Sequence, residues 1–188
     1  MFRTLSFYLI LIMVTPCLST TAEGQSVSFE LKTSPNVAFE FTTVNQYLAG
    51  VTRVNAIQLN IETTDQWDLY VGTTSDLPGF WDEVSLYSLN GDRPPVSILQ
   101  LRARNGSNTS QVSNFVPLRD LSDPVYLIGS AATDALVACP NTGANAPGSF
   151  VLNPNCYRFD VDLRIVPGLE YRAGLYELRI DYVIVQDL

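Results

Sequence analysis

Apolar and polar side chains alternate with a period of two along most of this chain. Val27, Phe29 and Leu31 alternate with Ser28, Glu30 and Lys32, and past Ser34-Pro35-Asn36 the residues Val37, Phe39 and Phe41 alternate with Ala38, Glu40 and Thr42. Ile57, Leu59 and Ile61 alternate with Gln58, Asn60 and Glu62, and Trp67, Leu69 and Val71 with Asp68, Tyr70 and Gly72. A strand turns successive side chains to opposite faces, so each run predicts a strand with one face on a core. The turn Thr63-Thr64-Asp65-Gln66 between the last two makes that pair the best hairpin candidate in the chain.

Further strand patterns follow. WDEVSLYSL (81–89) and VSILQLRAR (96–104) flank the turn NGDRPP, and SNFVPLRD and DPVYLIGS (123–130) are short and punctuated by proline. From 158 to 165, Phe159, Val161, Leu163 and Ile165 are expected in the core. Arg158, Asp160, Asp162 and Arg164 are expected on the exposed face, as a row of surface ion pairs. The terminal YRAGLYELRIDYVIVQDL (171–188) predicts one long strand over 175–185, with Tyr176, Leu178, Ile180, Tyr182 and Ile184 on one face. Its other face begins polar and turns apolar at Val183 and Val185, leaving an uncharged strand end that invites pairing.

No apolar i, i+3, i+4, i+7 pattern persists for three turns, so helix is minor, with one short helical turn in ATDALVAC (132–139). About nine or ten short strands separated by turns argue for an all-β antiparallel sandwich. A closed barrel is the rival, which period-2 patterning alone does not separate from a sandwich.

Composition divides the chain in two. Residues 1–22 carry Arg3 as their sole charge and the apolar run LSFYLILIMV (5–14), ending in small residues near Ala22 and Gly24. That is the pattern of a cleaved export signal, too short to span a bilayer that takes about 20 residues. The alternatives are an uncleaved anchor, or lipidation at Cys17, where Pro16 stands in place of the small residue that modification wants. Residues 23–188 then form one β-sandwich domain, secreted to the cell surface or beyond, with no membrane span in the mature chain. Eleven basic against nineteen acidic side chains give a net charge of −8, which argues against nucleic acid as a partner.

Two cysteines remain past the signal. An even count in an exported chain predicts one disulfide, Cys139–Cys156, closing a loop rich in Pro, Gly and Asn. Such a bridge removes about 3 kcal/mol of unfolded-state freedom. Sixteen residues separate the pair, which suits neither a redox motif nor a metal site.

The inventory for catalysis is poor. Histidine is absent, so Ser-His-Asp and Cys-His solutions are unavailable. Lys32 is the sole lysine and falls on an exposed strand face. No catalytic residue and no cofactor are expected. Calcium could find carboxylates in SDLPGFWDE (75–83) and LRDLSDP (118–124), but neither has the Asp-x-Asp-x-Asp-Gly order of a specific loop. Tyr70, out of phase with its strand, and Phe80-Trp81, after Pro78-Gly79, are candidate contacts for surface glycans. Trp67, in phase with Leu69 and Val71, reads as core. Asn105-Gly-Ser and Asn108-Thr-Ser match glycan acceptor sequons and mark an exposed loop.

The segment NAIQLNIETTDQWDLYVGTTSDL (55–77), and the terminal PGLEYRAGLYELRIDYVIVQDL (167–188) with Gly174-Leu175-Tyr176 opening its last strand, carry a resemblance. Behind an export signal they resemble secreted bacterial surface proteins of the fimbrial-subunit and spore-coat-U type, and exported proteins of Bacteroidota. The likeness covers about half of the mature chain. It implies an immunoglobulin-like sandwich and a structural or adhesive role. GLYELRI is also similar to type IX sorting domains, although this chain finishes Gln186-Asp187-Leu188 rather than in basic residues. The expectation is a self-associating subunit, a homo-oligomer or homopolymer, with Tyr182, Val183, Ile184 and Val185 at the contact. A neighbour's body, its N-terminal segment 25–32, or the protein's own N-terminal strand could cover that tail. A monomeric carbohydrate-binding or adhesin module is the alternative.

Overall fold

The computed structural model describes residues 27–31, 36–63, 67–104, 112–128 and 158–186. Among them are ten strands: β1 (Val27–Leu31), β2 (Val51–Thr63), β3 (Trp67–Thr74), β4 (Asp82–Leu86), β5 (Leu99–Arg104), β6 (Val116–Pro117), β7 (Val125–Ile128), β8 (Arg158–Ile165), β9 (Gly174–Glu177) and β10 (Arg179–Gln186). One short helix, α1 (Val44–Ala49), precedes β2. The strands form a five-stranded large sheet in the order β1-β2-β8-β5-β6, a three-stranded small sheet β10-β3-β7, and a separate β4-β9 ribbon. All named strand pairs are antiparallel. The fold is the all-β sandwich that the alternation predicts, and both sheets keep open edges among the described residues.

The core lies between the two sheets. Ile57, Leu59 and Ile61 of β2, Leu99 and Leu101 of β5, and Phe159, Val161, Leu163 and Ile165 of β8 are all buried. They meet Trp67, Leu69 and Val71 of β3 and Val125 and Leu127 of β7. Trp67 and Phe159 touch edge to face across the gap, with ring centroids 6.2 Å apart. Period 2 on both sheets places these side chains in one layer, which is why the strand faces could be read locally.

Three expectations need correction. Strands β2 and β3 do not form a hairpin: β2 pairs with β1 and β8, and β3 with β10 and β7. Two alternating runs joined by a short link fit a hairpin or a crossing between sheets equally well, and here their apolar faces look at each other across the core. The run Val37–Thr42 is not a strand. Val37, Phe39 and Phe41 still turn inward onto the core while Ala38, Glu40 and Thr42 stay exposed, without a ladder. The terminal strand is two strands, because the chain breaks at Leu178 between β9, paired with β4, and β10, paired with β3.

Helix α1 follows from local chemistry that the apolar pattern does not show. The Thr43 hydroxyl accepts from the Gln46 amide, and the Gln46 side chain accepts from the Thr43 amide at 3.1 Å, a capping box. Gly50 ends the helix at φ 82°, where a side chain would also collide with the Ile165 carbonyl. The expected export signal, Lys32, the expected Cys139–Cys156 bridge, both sequons and the helical turn expected at 132–139 lie outside the described residues.

Candidate functional site

β10 is an edge strand, paired with β3 alone among the described residues. Its register sets Ile180, Tyr182 and Ile184 opposite Thr73, Val71 and Leu69, so these three pack inward on the core. Val183 and Val185 fall on the outer face, opposite Tyr70 and Asp68. Val183 is half-buried and Val185 exposed. The two charges at the start of the strand are tied down: Arg179 Nε donates to Asp181 at 2.7 Å, and the Thr74 hydroxyl donates to the same carboxylate at 2.7 Å. From Tyr182 to Gln186 the strand carries no charge.

Beside β10 the narrower small sheet leaves part of the large sheet's inner face uncovered. Phe29 and Leu31 of β1 sit opposite the fully buried Ile61 and Leu59, yet both are exposed. A cleft of about 650 Å³ opens here, bounded by Ile57, Leu99 and Leu163 of the large sheet, Ile180 and Tyr182 of β10, and Trp81. Trp81 is held by its backbone, whose amide donates to Pro94 (3.0 Å) and whose carbonyl accepts from Arg93 Nε (2.7 Å). Trp81 Nε1 and the Tyr182 hydroxyl are buried without a hydrogen-bond partner among the described residues. Burial also pushes the Tyr182 phenol well above its ordinary pKa.

The three aromatic candidates separate. Trp81 lines the cleft, Phe80 stands at its neighbouring bridge to Pro95 and is exposed. Tyr70 lies on the outer face of the small sheet, tilted against Tyr126 at 5.3 Å. The carboxylates weighed for calcium serve their own loops. Asp82 accepts from the Asp76 amide and meets Arg93, Asp120 accepts from the Ser122 amide, and Asp123 pairs with Arg119. Among the described residues no three His, Cys, Asp or Glu side chains converge as metal ligands. No helix there is long and apolar enough to cross a membrane.

The outer face of the large sheet corrects a further expectation. Asp162 is not exposed; its side chain is wholly buried. Strand β2 bulges between Arg53 and Ile57, so that Val54, Asn55 and Ala56 lie against one stretch of β8. Asn55 adopts φ 51°, and its freed amide donates to Asp162 Oδ1 at 2.9 Å. Arg102 Nε reaches Asp162 Oδ2 at 2.9 Å, and Arg104 bridges both oxygens at 3.1 and 2.8 Å. The carboxylate thus fills the bulge beneath a canopy of two guanidinium groups. Burial alone would raise its pKa, but the Arg104 hydrogen bond, the Asn55 amide and Arg102 outweigh it and hold it below the ordinary carboxylate range. Asp160, by contrast, makes the expected surface pair with Arg158 at 3.1 Å.

No protein-family model matches the chain, and no curated protein matches it. Function has to be argued from the surfaces themselves.

Proposed function

We propose that this protein is an exported, non-catalytic structural subunit of a cell-surface or extracellular assembly, self-associating through strand edges. The observation that carries the reading is the β10 edge, uncharged from Tyr182 to Gln186 and flanked by an open cleft of mixed apolar and polar lining. Soluble monomers blunt such edges with charge, bulges or a covering segment, because unpaired backbone groups recruit other strands. The absence of histidine and the structural engagement of the loop carboxylates leave the surfaces, rather than a reaction centre, as the working part.

A second reading, a monomeric carbohydrate-binding or adhesin module, is favoured by one feature: an indole N–H without a partner at the wall of the cleft. Light scattering on residues 23–188 over a concentration series separates the two. The assembly reading expects mass to grow with concentration, and expects Val183→Lys with Val185→Lys to return it to one chain while circular dichroism stays unchanged. A wild type that remains a single chain at high concentration rejects it.

A further inference from the structure

An edge such as β10 can pair with its own copy about a two-fold axis, which closes at two chains; growth needs a second, heterologous contact. The β4-β9 ribbon supplies one half of such a contact. Tyr87 and Leu89 are 75% and 82% exposed, and Val84, Leu169 and Leu175 stand exposed on the same ribbon and its turns. Exposed apolar side chains gathered on one unit point to an interaction site, the more so on a two-stranded unit that is marginal by itself. Gly91, at φ +101°, lets the two turns close on each other, the Asp92 amide donating to the Glu170 carbonyl at 3.0 Å. The rim is acidic. Arg93 and Arg172 are engaged by Asp82 and Glu83, whereas the exposed Asp92 and Glu170 have no ion pair among the described residues.

The other half lies on the outer face of the large sheet. There β5 and β8 present Arg102, Arg104, Arg158 and Arg164 against two carboxylates, Asp160 and Asp162, in a chain whose net charge is −8. Arg164 has no carboxylate partner among the described residues; its Nε donates to the neutral Gln100 side chain at 2.8 Å. Its guanidinium and that of Arg102 lie over the Phe115 ring, 4.2 and 4.7 Å from the centroid. Stacked, weakly hydrated guanidinium groups are suited to receive both carboxylates and aromatic rings.

We infer that the acidic-rimmed ribbon of one copy docks on the arginine face of the next, a head-to-tail contact between two different surfaces of the same chain. The occupant is argued from charge: the surplus of cations on β5 and β8, at the far side of the sheet from Glu30 on β1, matches the surplus of anions around the apolar side chains of the ribbon. The inference rests on the assembly reading above and gives it a direction of growth.

The test is charge exchange, read by light scattering, with circular dichroism melting as the check on folding. Arg164→Glu, and separately Asp92→Arg with Glu170→Arg, should each raise the concentration needed for assembly about tenfold or more, since like charges then face each other. Combining the three substitutions in one chain should restore assembly, and raising salt from about 0.05 to about 0.5 M should weaken the wild type. Assembly that survives Arg164→Glu, or that the combined chain fails to recover, overturns the inference. Val183→Lys with Val185→Lys runs alongside. If that pair dissolves the assembly and Arg164→Glu does not, the β10 reading stands and the head-to-tail contact falls. The opposite result keeps the contact and removes the β10 edge, and a wild type that never assembles removes both.

Discussion

The outer face of the large sheet and the β4-β9 ribbon reverse what their side chains promise. The first reads as a charged, solvated row, yet it buries Asp162 completely beneath Arg102 and Arg104. The second contains Val84, Tyr87, Leu89 and Leu175, and all four are exposed. Burial therefore tracks what lies opposite a residue rather than its own polarity. Asp162 faces a bulge whose backbone amide needs an acceptor, while β4 and β9 pair only with each other among the described residues. One region is internally complete, and the other leaves apolar side chains in solvent, which the proposed contact would cover.

The comparison can be broken most severely at its polar end. Asp162→Ala should cost about 3 kcal/mol, because it leaves two half-exposed guanidinium groups and the Asn55 amide without their shared acceptor. Urea unfolding of the variant measures this, and a cost near that of an exposed ion pair would show the canopy to be idle. Leu163→Ala, next along β8 but facing the core, should cost about 2–5 kcal/mol as a buried large-to-small change. The two neighbours should thus be comparably costly although they point to opposite faces.

Acid sharpens the same point. The folded pKa of Asp162 is depressed, so its stabilisation is fully present above the unfolded value of about 4 and is lost as pH falls through the folded value. The wild type should lose stability in that acid window, and Asp162→Asn should flatten that part of the profile. The smallest effect belongs to the ribbon. Leu89→Ser should change the stability of the single chain by under about 0.5 kcal/mol, as for an exposed position. Its effect should appear in light scattering instead, and a large loss of stability would mean that the ribbon's patch is already covered.

Much of the fold was legible along the chain. The inward faces of β8 and β3 and the inward Tyr182 and Ile184 all follow from alternation, which needs only the period of a strand. The capping box at Thr43 and Gln46 was equally local, and an S/T-x-x-Q reading would have found α1. The candidate site was half legible: the uncharged end of β10 is visible in the residues, whereas the cleft beside it depends on the small sheet having fewer strands than the large one. The burial of Asp162 left no local signal. An Arg–Asp–Asp–Arg row looks the same whether or not a bulge on the neighbouring strand waits to be filled.

The sequence by itself determined which face of most strands is apolar, that sheet rather than helix dominates, and that histidine-based chemistry is absent. These depend on neighbours one or two residues away, where sterics and side-chain direction are set by the backbone alone. Tertiary structure decided which strands pair, joining β4 to β9 and β2 to β8 across long stretches of chain. It also decided that β2 and β3 cross the core instead of turning back, that Asp162 is buried, and that the ribbon is bare. Such outcomes are fixed by which surfaces remain after every strand has competed for the two sheets. That competition involves the whole chain at once, and no window along it contains both sides.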